Sequence, residues 1–217
     1  MSPAPSWWST AAGPRSDMSD DKKPAVAPWQ VVESKDTYRD EWLALRSDTV
    51  RLPNGRILSP FHIVELPNWV NVIALTRDRK VLLIEEYRHG ARQTVLELPS
   101  GVINGTSEPP AAAIKRELLE ETGFASEDWH DLGSFFANPA RQTNRVHSFV
   151  ALDAHKVAEP SPDEGEVLLA HEMPWRDFLA ELESGRLELQ GFHLAALWML
   201  RSYIARSADP RLAALLA

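Results

Sequence analysis

The sequence predicts an α/β protein in which helices pack on a mixed β-sheet. Short apolar runs with strand character alternate along the chain with longer segments of helical periodicity. Turn signals join some of the predicted strands into hairpins, so the sheet cannot be purely parallel. Apolar residues make up 44% of the 217 residues, which is enough for one sizeable core.

The strands and helices are predicted in a clear order. The first strands lie between Trp29 and Glu65, where Pro53-Asn54-Gly55 is a strong turn signal between strands at 48–52 and 56–58. A buried hairpin follows, with strands at 70–75 and 81–84. The remaining strands are predicted at 94–98, 135–136, 146–152 and 167–173, and the helices at 109–122, 175–183 and 193–204. Trp198 is interpreted as part of the core face of the last helix.

Composition also predicts how the chain is divided. Residues 1–27 are rich in Ser, Pro, Ala and Asp and are predicted to be a disordered tail. Residues 28–66 are expected to form an N-terminal strand segment, residues 67–206 the main domain, and residues 207–217 a C-terminal tail.

Composition excludes several classes of function. The chain has no cysteine, which excludes disulfides, thiolate nucleophiles and cysteine-based zinc sites. A formal net charge of −8 argues against nucleic-acid binding, although a metal and local arginines would still allow a small anionic substrate. No apolar run approaches the roughly 20 residues that span a bilayer, and residues 1–14 lack the pattern of a signal peptide. We therefore expect a cytoplasmic protein without nucleic-acid or membrane partners.

The helix predicted at 109–122 has well-marked ends. Ser107 is its expected N-cap, and the two prolines that begin it are tolerated in the first turn, where backbone donors lack partners. Gly123 suits the position just after the helix. The core-facing stripe is expected to consist of Ala111, Ile114 and Leu118.

Three carboxylates share one face of this helix. Glu117, Glu120 and Glu121 fall at i, i+3 and i+4, and the like-charge pair among them costs an isolated helix about 0.2–0.5 kcal/mol. Arg116 can pair with Glu120, which offsets only part of that cost. Mg²⁺ takes oxygen ligands and often bridges carboxylates to substrate phosphates. The face therefore predicts either a divalent-cation site or a solvated acidic surface, and the glutamates alone favour the second.

The longer string around these glutamates favours the cation site, because it resembles the Nudix box. That box is the signature of a family that hydrolyses nucleoside diphosphates linked to another group. The run Arg116-Glu-Leu-Leu-Glu-Glu-Thr-Gly-Phe124 and its spacing from Glu108 match the family pattern. One departure lies in the preceding loop, where six residues separate Gly101 from Glu108 and the family usually has five. The resemblance implies a Nudix-type α/β/α sandwich and a bound Mg²⁺, with Mn²⁺ as the alternative.

The resemblance extends over roughly residues 40–205 and points to one branch of the family. Residues 86–88 and 96–101 are similar to the ADP-ribose and nucleotide-sugar pyrophosphatase branch, and Pro139 stands where that branch often has a proline. The resemblance implies cleavage of the pyrophosphate linkage of ADP-ribose or a related nucleoside diphosphate sugar. The products would be a nucleoside monophosphate and a sugar phosphate.

The resemblance also implies roles for single residues. The expected metal ligands are the backbone carbonyl of Ser100 and the side chains of Glu117, Glu120 and Glu121. Structural support beside them is expected from Arg116, Gly101 and Gly123. The expected catalytic residues are Glu121 and a base on the late acidic loop, where Glu166 is the better match and Glu164 the rival.

Four residues are expected at the substrate, namely Arg88, Glu97, Trp29 and Trp42. Each has an alternative. Arg88 would otherwise form a surface ion pair, and Glu97 would either help at the metal site or be a structural strand residue. For the two tryptophans, ordinary core or interface packing is the favoured interpretation.

Assembly and the competing functions also follow from the resemblance. In this branch the N-terminal strands exchange between two subunits, so a homodimer that uses residues 29–65 is expected by analogy. One alternative is a Nudix hydrolase of another nucleoside diphosphate derivative, such as a GDP-sugar, a dinucleoside polyphosphate or coenzyme A. Another is a non-catalytic Nudix module that senses a nucleotide or binds a partner. Such modules typically lose box glutamates, which are all present in this chain.

Overall fold

The computed structural model describes residues 26–105, 107–163 and 165–215. Residues 1–25 of the predicted tail lie outside these ranges. Within them the elements are β1 (Gln30–Arg39), β2 (Ala44–Arg51), β3 (Ile57–Glu65), β4 (Trp69–Thr76), β5 (Lys80–Arg88), β6 (Gln93–Glu97), β7 (Ser100–Val102), α1 (Pro110–Thr122), β8 (Phe124–Ala125), β9 (Asp128–Phe136), β10 (Arg145–Lys156), β11 (Leu168–Pro174), α2 (Trp175–Glu183), α3 (Gly191–Ile204) and α4 (Pro210–Ala213). No helix in this part of the chain is long and apolar enough to cross a membrane.

The strands form two sheets. The first three make an antiparallel sheet in the order β1-β2-β3, and the turn between β2 and β3 includes Gly55 at φ 83°. The larger sheet has the order β11-β5-β4-β10-β8, with β6 beside β5, β7 beside β4 and β9 beside β10. Its central pair, β4 and β10, is parallel, whereas β4 and β5 form the predicted antiparallel hairpin. The predicted mixed sheet with an N-terminal antiparallel strand segment is confirmed.

The large sheet separates two apolar layers. Successive residues of a strand point to opposite faces, and β4 is buried on both. Val72 and Ala74 pack in the layer of α1, together with Leu118. Ile73 and Leu75 pack in the other layer, which α2, α3 and α4 cover. The predicted α/β/α sandwich is confirmed by this arrangement.

The predicted residue at the end of α1 is confirmed, whereas the predicted N-cap at its start is wrong. Ser107 is exposed and does not cap the helix, whose N-cap is Pro109 without a side-chain capping bond. The prediction was wrong because a cap at 107 would accept from the N–H groups of residues 109 and 110, and proline has no N–H. Gly123 is confirmed as the residue that ends the helix, at φ 73° with its N–H donating to the Leu119 carbonyl. A Cβ at this position would lie 2.1 Å from the carbonyl oxygen of Ala158.

Trp198 does not face the core, so that prediction was wrong. Its side chain is 63% exposed. The buried stripe of α3 runs through His193, Ala196, Leu200 and Ile204. Trp198 is two residues from Ala196 and from Leu200, which places it about 200° around the helix from that stripe.

The C-terminal segment, which the sequence predicts as a tail, is packed on the core through residue 215. Leu212 and Leu215 are both buried in the layer of α2 and α3. The indole N–H of Trp175 donates to the Leu215 carbonyl at 2.8 Å. Arg211 adds ion pairs to Asp128 and Asp209. Apolar burial of two leucines is the reason that this segment stays docked.

Replacement of Leu212 by alanine should therefore destabilise the whole domain. A buried leucine that is truncated to alanine costs about 2–5 kcal/mol of the free energy of unfolding. Urea unfolding measures the loss, and Leu194→Ala is the matched control because that leucine is 48% exposed. Equal losses in the two variants would show that the C-terminal segment contributes nothing to the core.

Candidate active site

The three glutamates of α1 have unequal environments. Glu117 and Glu121 are buried, with 7% and 4% exposure, whereas the side chain of Glu120 is 34% exposed. Burial is the largest reason that the pKa of Glu117 is raised to about 7. Burial, followed by the charge of Glu117, also raises the pKa of Glu121 well above its usual range. Two adjacent buried carboxylates that resist ionisation favour a bound cation.

Arg116 holds this face of the helix in place. Its guanidinium donates to Glu108 at 3.1 Å and to Glu120 at 2.9 Å, and it lies 3.0 Å from a Glu117 oxygen. A further N–H donates to the Val102 carbonyl on β7. The predicted pairing of Arg116 with Glu120 is confirmed, and the same side chain also ties the loop before α1 to the helix.

Strand β7 approaches the buried carboxylates very closely. The backbone N–H of Ser100 donates to Oε2 of Glu121 at 3.1 Å. A Cβ built on Gly101 would lie 2.1 Å from the carboxyl carbon of Glu117. Glycine is therefore required at 101 because any side chain would occupy the space of that carboxylate.

Replacement of Gly101 by alanine should displace the carboxylate of Glu117, the predicted metal ligand. If that role holds, activity should fall by more than about 10-fold, since changes beside metal ligands cost 10–100-fold. The fold should persist, because the displaced group is the end of a flexible side chain. Hydrolysis rate and thermal unfolding are measured together. Gly191→Ala is the control, because a Cβ there has no neighbour within 4 Å. Full activity in Gly101→Ala would refute the role assigned to this close approach.

Arg88 is held by two carboxylates at the end of β5. Its Nε and Nη2 lie 2.8 Å and 2.6 Å from Oε2 of Glu97, and its Nη1 lies 3.1 Å from Glu86. Glu97 is buried, with 3% exposure, and the Arg88 side chain is 42% exposed. The guanidinium therefore has a fixed orientation, and part of the Arg88 side chain is accessible. The sequence did not single out Glu86 as a site residue. Its carboxylate pairs with Arg88, and burial raises its pKa.

The late acidic loop reaches the same site. Glu166 accepts from the backbone N–H of Asp163 at 3.3 Å and donates its own N–H to the Asp163 carbonyl. After burial, the Glu166 carboxylate is one of the charges that raise the pKa of Glu117 and of Glu121. Glu166 is thus within electrostatic reach of the α1 carboxylates. Its rival, Glu164, lies outside the described residues.

The residues fit a divalent cation by their chemistry, although the described residues contain no group of three side chains already arranged as ligands. The carboxylate of Glu120 pairs with Arg116, so it does not join Glu117 and Glu121 in a group of three ligands. The buried Glu121 carboxylate accepts a hydrogen bond from the Ser100 backbone N–H. A hard cation with oxygen ligands would compensate that buried charge.

The predicted aromatic residues flank the N-terminal sheet, with Trp29 just before β1 and Trp42 in the turn between β1 and β2. Trp29 and Trp42 are 44% and 73% exposed, so neither belongs to the core of this chain. Trp29 meets Phe61 edge-on at 5.5 Å, and the guanidinium of Arg141 lies 4.5 Å from the same ring. The sequence did not indicate Phe61 or Arg141, because their contact joins segments 80 residues apart.

Two family models match the chain. The model described as NUDIX domain matches residues 67–190, and the model described as nucleoside diphosphate sugar hydrolase N-terminal domain matches residues 29–68. The first covers more than half of the chain and contains α1, β7 and the late acidic loop. The second contains β1, β2 and β3.

Several characterised proteins are similar to the chain. An ADP-ribose pyrophosphatase of Bacillus subtilis is 29% identical over 156 residues, which are 71% of this chain and 83% of that protein. A GDP-mannose pyrophosphatase of Yersinia pestis is 32% identical over 160 residues, which are 68% of this chain and 79% of that protein. A methanol dehydrogenase activator of Bacillus methanolicus is 33% identical over 122 residues, which are 56% of this chain and 65% of its own length, slightly less than two thirds.

A solved structure shares the fold. The crystal structure of an ADP compounds hydrolase superposes with a TM-score of 0.73 and covers 86% of this chain and 99% of that chain. The sequences are 21% identical, so this likeness shows the fold alone.

Proposed function

The chain belongs to the Nudix family, and on this premise we propose that it is a metal-dependent hydrolase of nucleoside diphosphate sugars. The reaction is cleavage of the pyrophosphate linkage by water, which gives a nucleoside monophosphate and a sugar phosphate. One observation carries the proposal, namely the burial of Glu117 and Glu121 against Ser100 and Gly101 of β7. A nucleotide-sensing module would not need two buried, mutually repelling carboxylates at this place.

Nudix hydrolases generally depend on a divalent metal, and in this chain Glu117, Glu120, Glu121 and the Ser100 carbonyl would hold it. Mg²⁺ is proposed, with Mn²⁺ as the substitute. When bound, the metal polarises a phosphate oxygen and lowers the pKa of coordinated water. Arg116 would fix the carboxylate orientation through its contacts with Glu108, Glu117 and Glu120.

The other side chains act on the substrate and on water. Glu166 is proposed as the general base that accepts a proton from the attacking water, since it lies on a loop beside the α1 carboxylates. Glu164 remains the rival base. Arg88, oriented by Glu97 and partly exposed, would donate to a phosphate oxygen of the substrate.

ADP-ribose is the proposed substrate, with a GDP-sugar as the second candidate. The names of two relatives, an ADP-ribose pyrophosphatase and a GDP-mannose pyrophosphatase, support these two compounds. Trp29 and Trp42 are proposed to contact the base, because their exposed rings suit stacking on a planar group.

A homodimer through residues 28–66 is part of the proposal. All ten residues of β1 are exposed in the single chain, and Val31, Val32 and Tyr38 are among them. Exposed apolar side chains and an unpaired strand edge favour pairing with another chain. Light scattering coupled to size-exclusion chromatography tests this assembly, and a monomer at micromolar concentration would contradict it. The cytoplasmic location stays a prediction.

A substrate panel tests the reaction. Purified protein with Mg²⁺ or Mn²⁺ is offered ADP-ribose, GDP-mannose, a dinucleoside polyphosphate and coenzyme A, and the products are separated by chromatography. The proposal predicts the highest kcat/KM for ADP-ribose, with AMP and ribose 5-phosphate as products. Cleavage of GDP-mannose alone would move the substrate to the second candidate. A folded protein that cuts none of the four compounds would contradict the proposed function.

A further inference from the structure

A group of buried polar side chains lies between the large sheet and α3, outside the proposed active site. Asn71, Ser148 and His193 are each 0% exposed. Four of their polar atoms have no hydrogen-bond partner anywhere in residues 26–105, 107–163 and 165–215, namely Oδ1 of Asn71, Oγ of Ser148 and both ring nitrogens of His193. Unpaired buried polar groups are rare in native proteins, so this concentration needs an explanation.

The three residues occupy one place in the fold. Ser148 of β10 is the direct Cα partner of Asn71 of β4. Strand alternation puts Asn71 on the face of Ile73, and puts Ser148 on the face of Val150, in the layer that α3 covers. His193 belongs to the buried stripe of α3.

A hydrogen bond links the strand to the helix at this point. The Nδ2 of Asn71 donates to the carbonyl of Phe192, the residue before His193, at 3.3 Å. The three residues therefore occupy neighbouring positions in the layer between the large sheet and the first turn of α3. We call them the polar cluster.

The chemistry of the polar cluster indicates a neutral ligand. An amide and a hydroxyl carry no charge. Burial, and then the positive charge of Arg88, lowers the pKa of His193 to about 3, so this imidazole is neutral at pH 7. A neutral imidazole offers one donor and one acceptor. An ion would therefore be left without a counter-charge among these three side chains.

The burial of the cluster also limits the size of the ligand that could bind there. None of the three residues is exposed, so a metabolite has no open route to them. Water is small enough, and one molecule can bond to two, three or four polar groups at once. Internal waters in proteins satisfy buried polar atoms of this kind.

We propose that Asn71, Ser148 and His193 form a binding site for internal water, which bridges β4, β10 and the first turn of α3. The proposal does not depend on the enzymatic activity. The site also lies next to functional structure, because Asn71 is the Cα partner of Ser100 on β7. A water bridge here stiffens β4 from the side opposite α1.

The sign of one stability change distinguishes a hydrated cluster from a dry one. If water bonds to Ser148, Ser148→Ala breaks a hydrogen bond and should lower the melting temperature by about 2–4 °C. If the cluster is dry, the same substitution removes an unsatisfied hydroxyl and should raise the melting temperature. A rise would overturn the proposal.

Ser126→Ala is the matched control. Ser126 is also buried, but its hydroxyl donates to the Leu152 carbonyl and accepts from the backbone N–H of Asp128. This variant must lower the melting temperature, because it breaks bonds that the structure contains. The proposal predicts the same sign for both serines.

A crystal structure of the full chain completes the test, because a small cavity could also lower the melting temperature of Ser148→Ala. The proposal predicts ordered water density within hydrogen-bond distance of at least two of the three side chains. In Ser148→Ala that density should weaken or move. A crystal structure that shows no water between these side chains would refute the proposal whatever the melting temperatures are.

Discussion

Replacing Glu121 with glutamine is expected to stabilise the metal-free protein while removing the response to metal. The folded-state pKa of Glu121 is raised, first by burial and then by Glu117. A raised carboxyl pKa favours folding below the unfolded-state pKa of about 4.5, and this contribution is lost as the pH rises through the folded-state pKa. At pH 8, far above the unfolded-state pKa, this carboxyl is therefore a cost to the folded state that glutamine lacks. Each kcal/mol relieved should raise the melting temperature by about 2–4 °C.

The measurement is thermal unfolding at pH 8, with chelator and then with millimolar Mg²⁺. The natural protein should gain stability from Mg²⁺, because binding to the folded state shifts the unfolding equilibrium. Glu121→Gln should gain little. Glu183→Gln, at an exposed position on α2, is the control and should behave like the natural protein. A lower melting temperature for metal-free Glu121→Gln would mean that the carboxylate is satisfied by the protein alone.

The second large effect is a loss of stability in acid that depends on His193. Its folded-state pKa is depressed to about 3, by burial and by Arg88. The unfolded chain binds a proton near pH 6.5 and the folded chain does not, so the contribution of His193 is complete above pH 6.5 and declines as the pH falls towards 3. Between these two pH values, His193 alone should lower the free energy of unfolding by roughly 1–2 kcal/mol for each pH unit.

Glu117 acts in the opposite direction. Its pKa is raised to about 7, mainly by burial, so protonation of Glu117 stabilises the fold as the pH falls from 7 to about 4.5. The two effects overlap, and only a variant separates them. Urea unfolding of the natural protein and His193→Gln should be compared at pH 7 and pH 4.5.

The stability difference between these two proteins should change by about 2–3 kcal/mol between the two pH values, because glutamine does not titrate. His171→Gln, at an exposed position on β11, is the control for the same chemical change. A difference that does not vary with pH would show that His193 titrates normally in the folded chain.

Local features of the fold could be predicted from the sequence because neighbouring residues determine them. Helix α1 was found within one residue of its predicted start, and its end was confirmed at Gly123, where the left-handed conformation favours glycine. The hairpin of β4 and β5 was confirmed because each strand is an apolar run next to a turn signal. The relative placement of Glu117, Glu120 and Glu121 follows from helical spacing alone.

Features that depend on packing could not be predicted. The sequence did not show that Glu97 holds Arg88, since that contact requires β5 and β6 to be paired. It did not show that Trp198 points outwards. Helix α3 is apolar on several sides, so the buried side is determined only by packing against the rest of the fold. The docking of Leu212 was missed because the segment that carries it is short and its partner surface comes from α2 and α3.

Hydrolysis of ADP-ribose as a function of Mg²⁺ concentration is the decisive experiment for a metal site on α1. The natural protein, Glu121→Gln and Glu183→Gln are compared, and AMP release is followed with chelator as the zero point. The account predicts metal-dependent AMP release by the natural protein and by Glu183→Gln, with a rate at least about 100-fold lower in Glu121→Gln, since even indirect perturbation of a metal ligand costs 10–100-fold. AMP release that persists in chelator, or that Glu121→Gln retains in full, would contradict a metal site built on the buried carboxylates of α1.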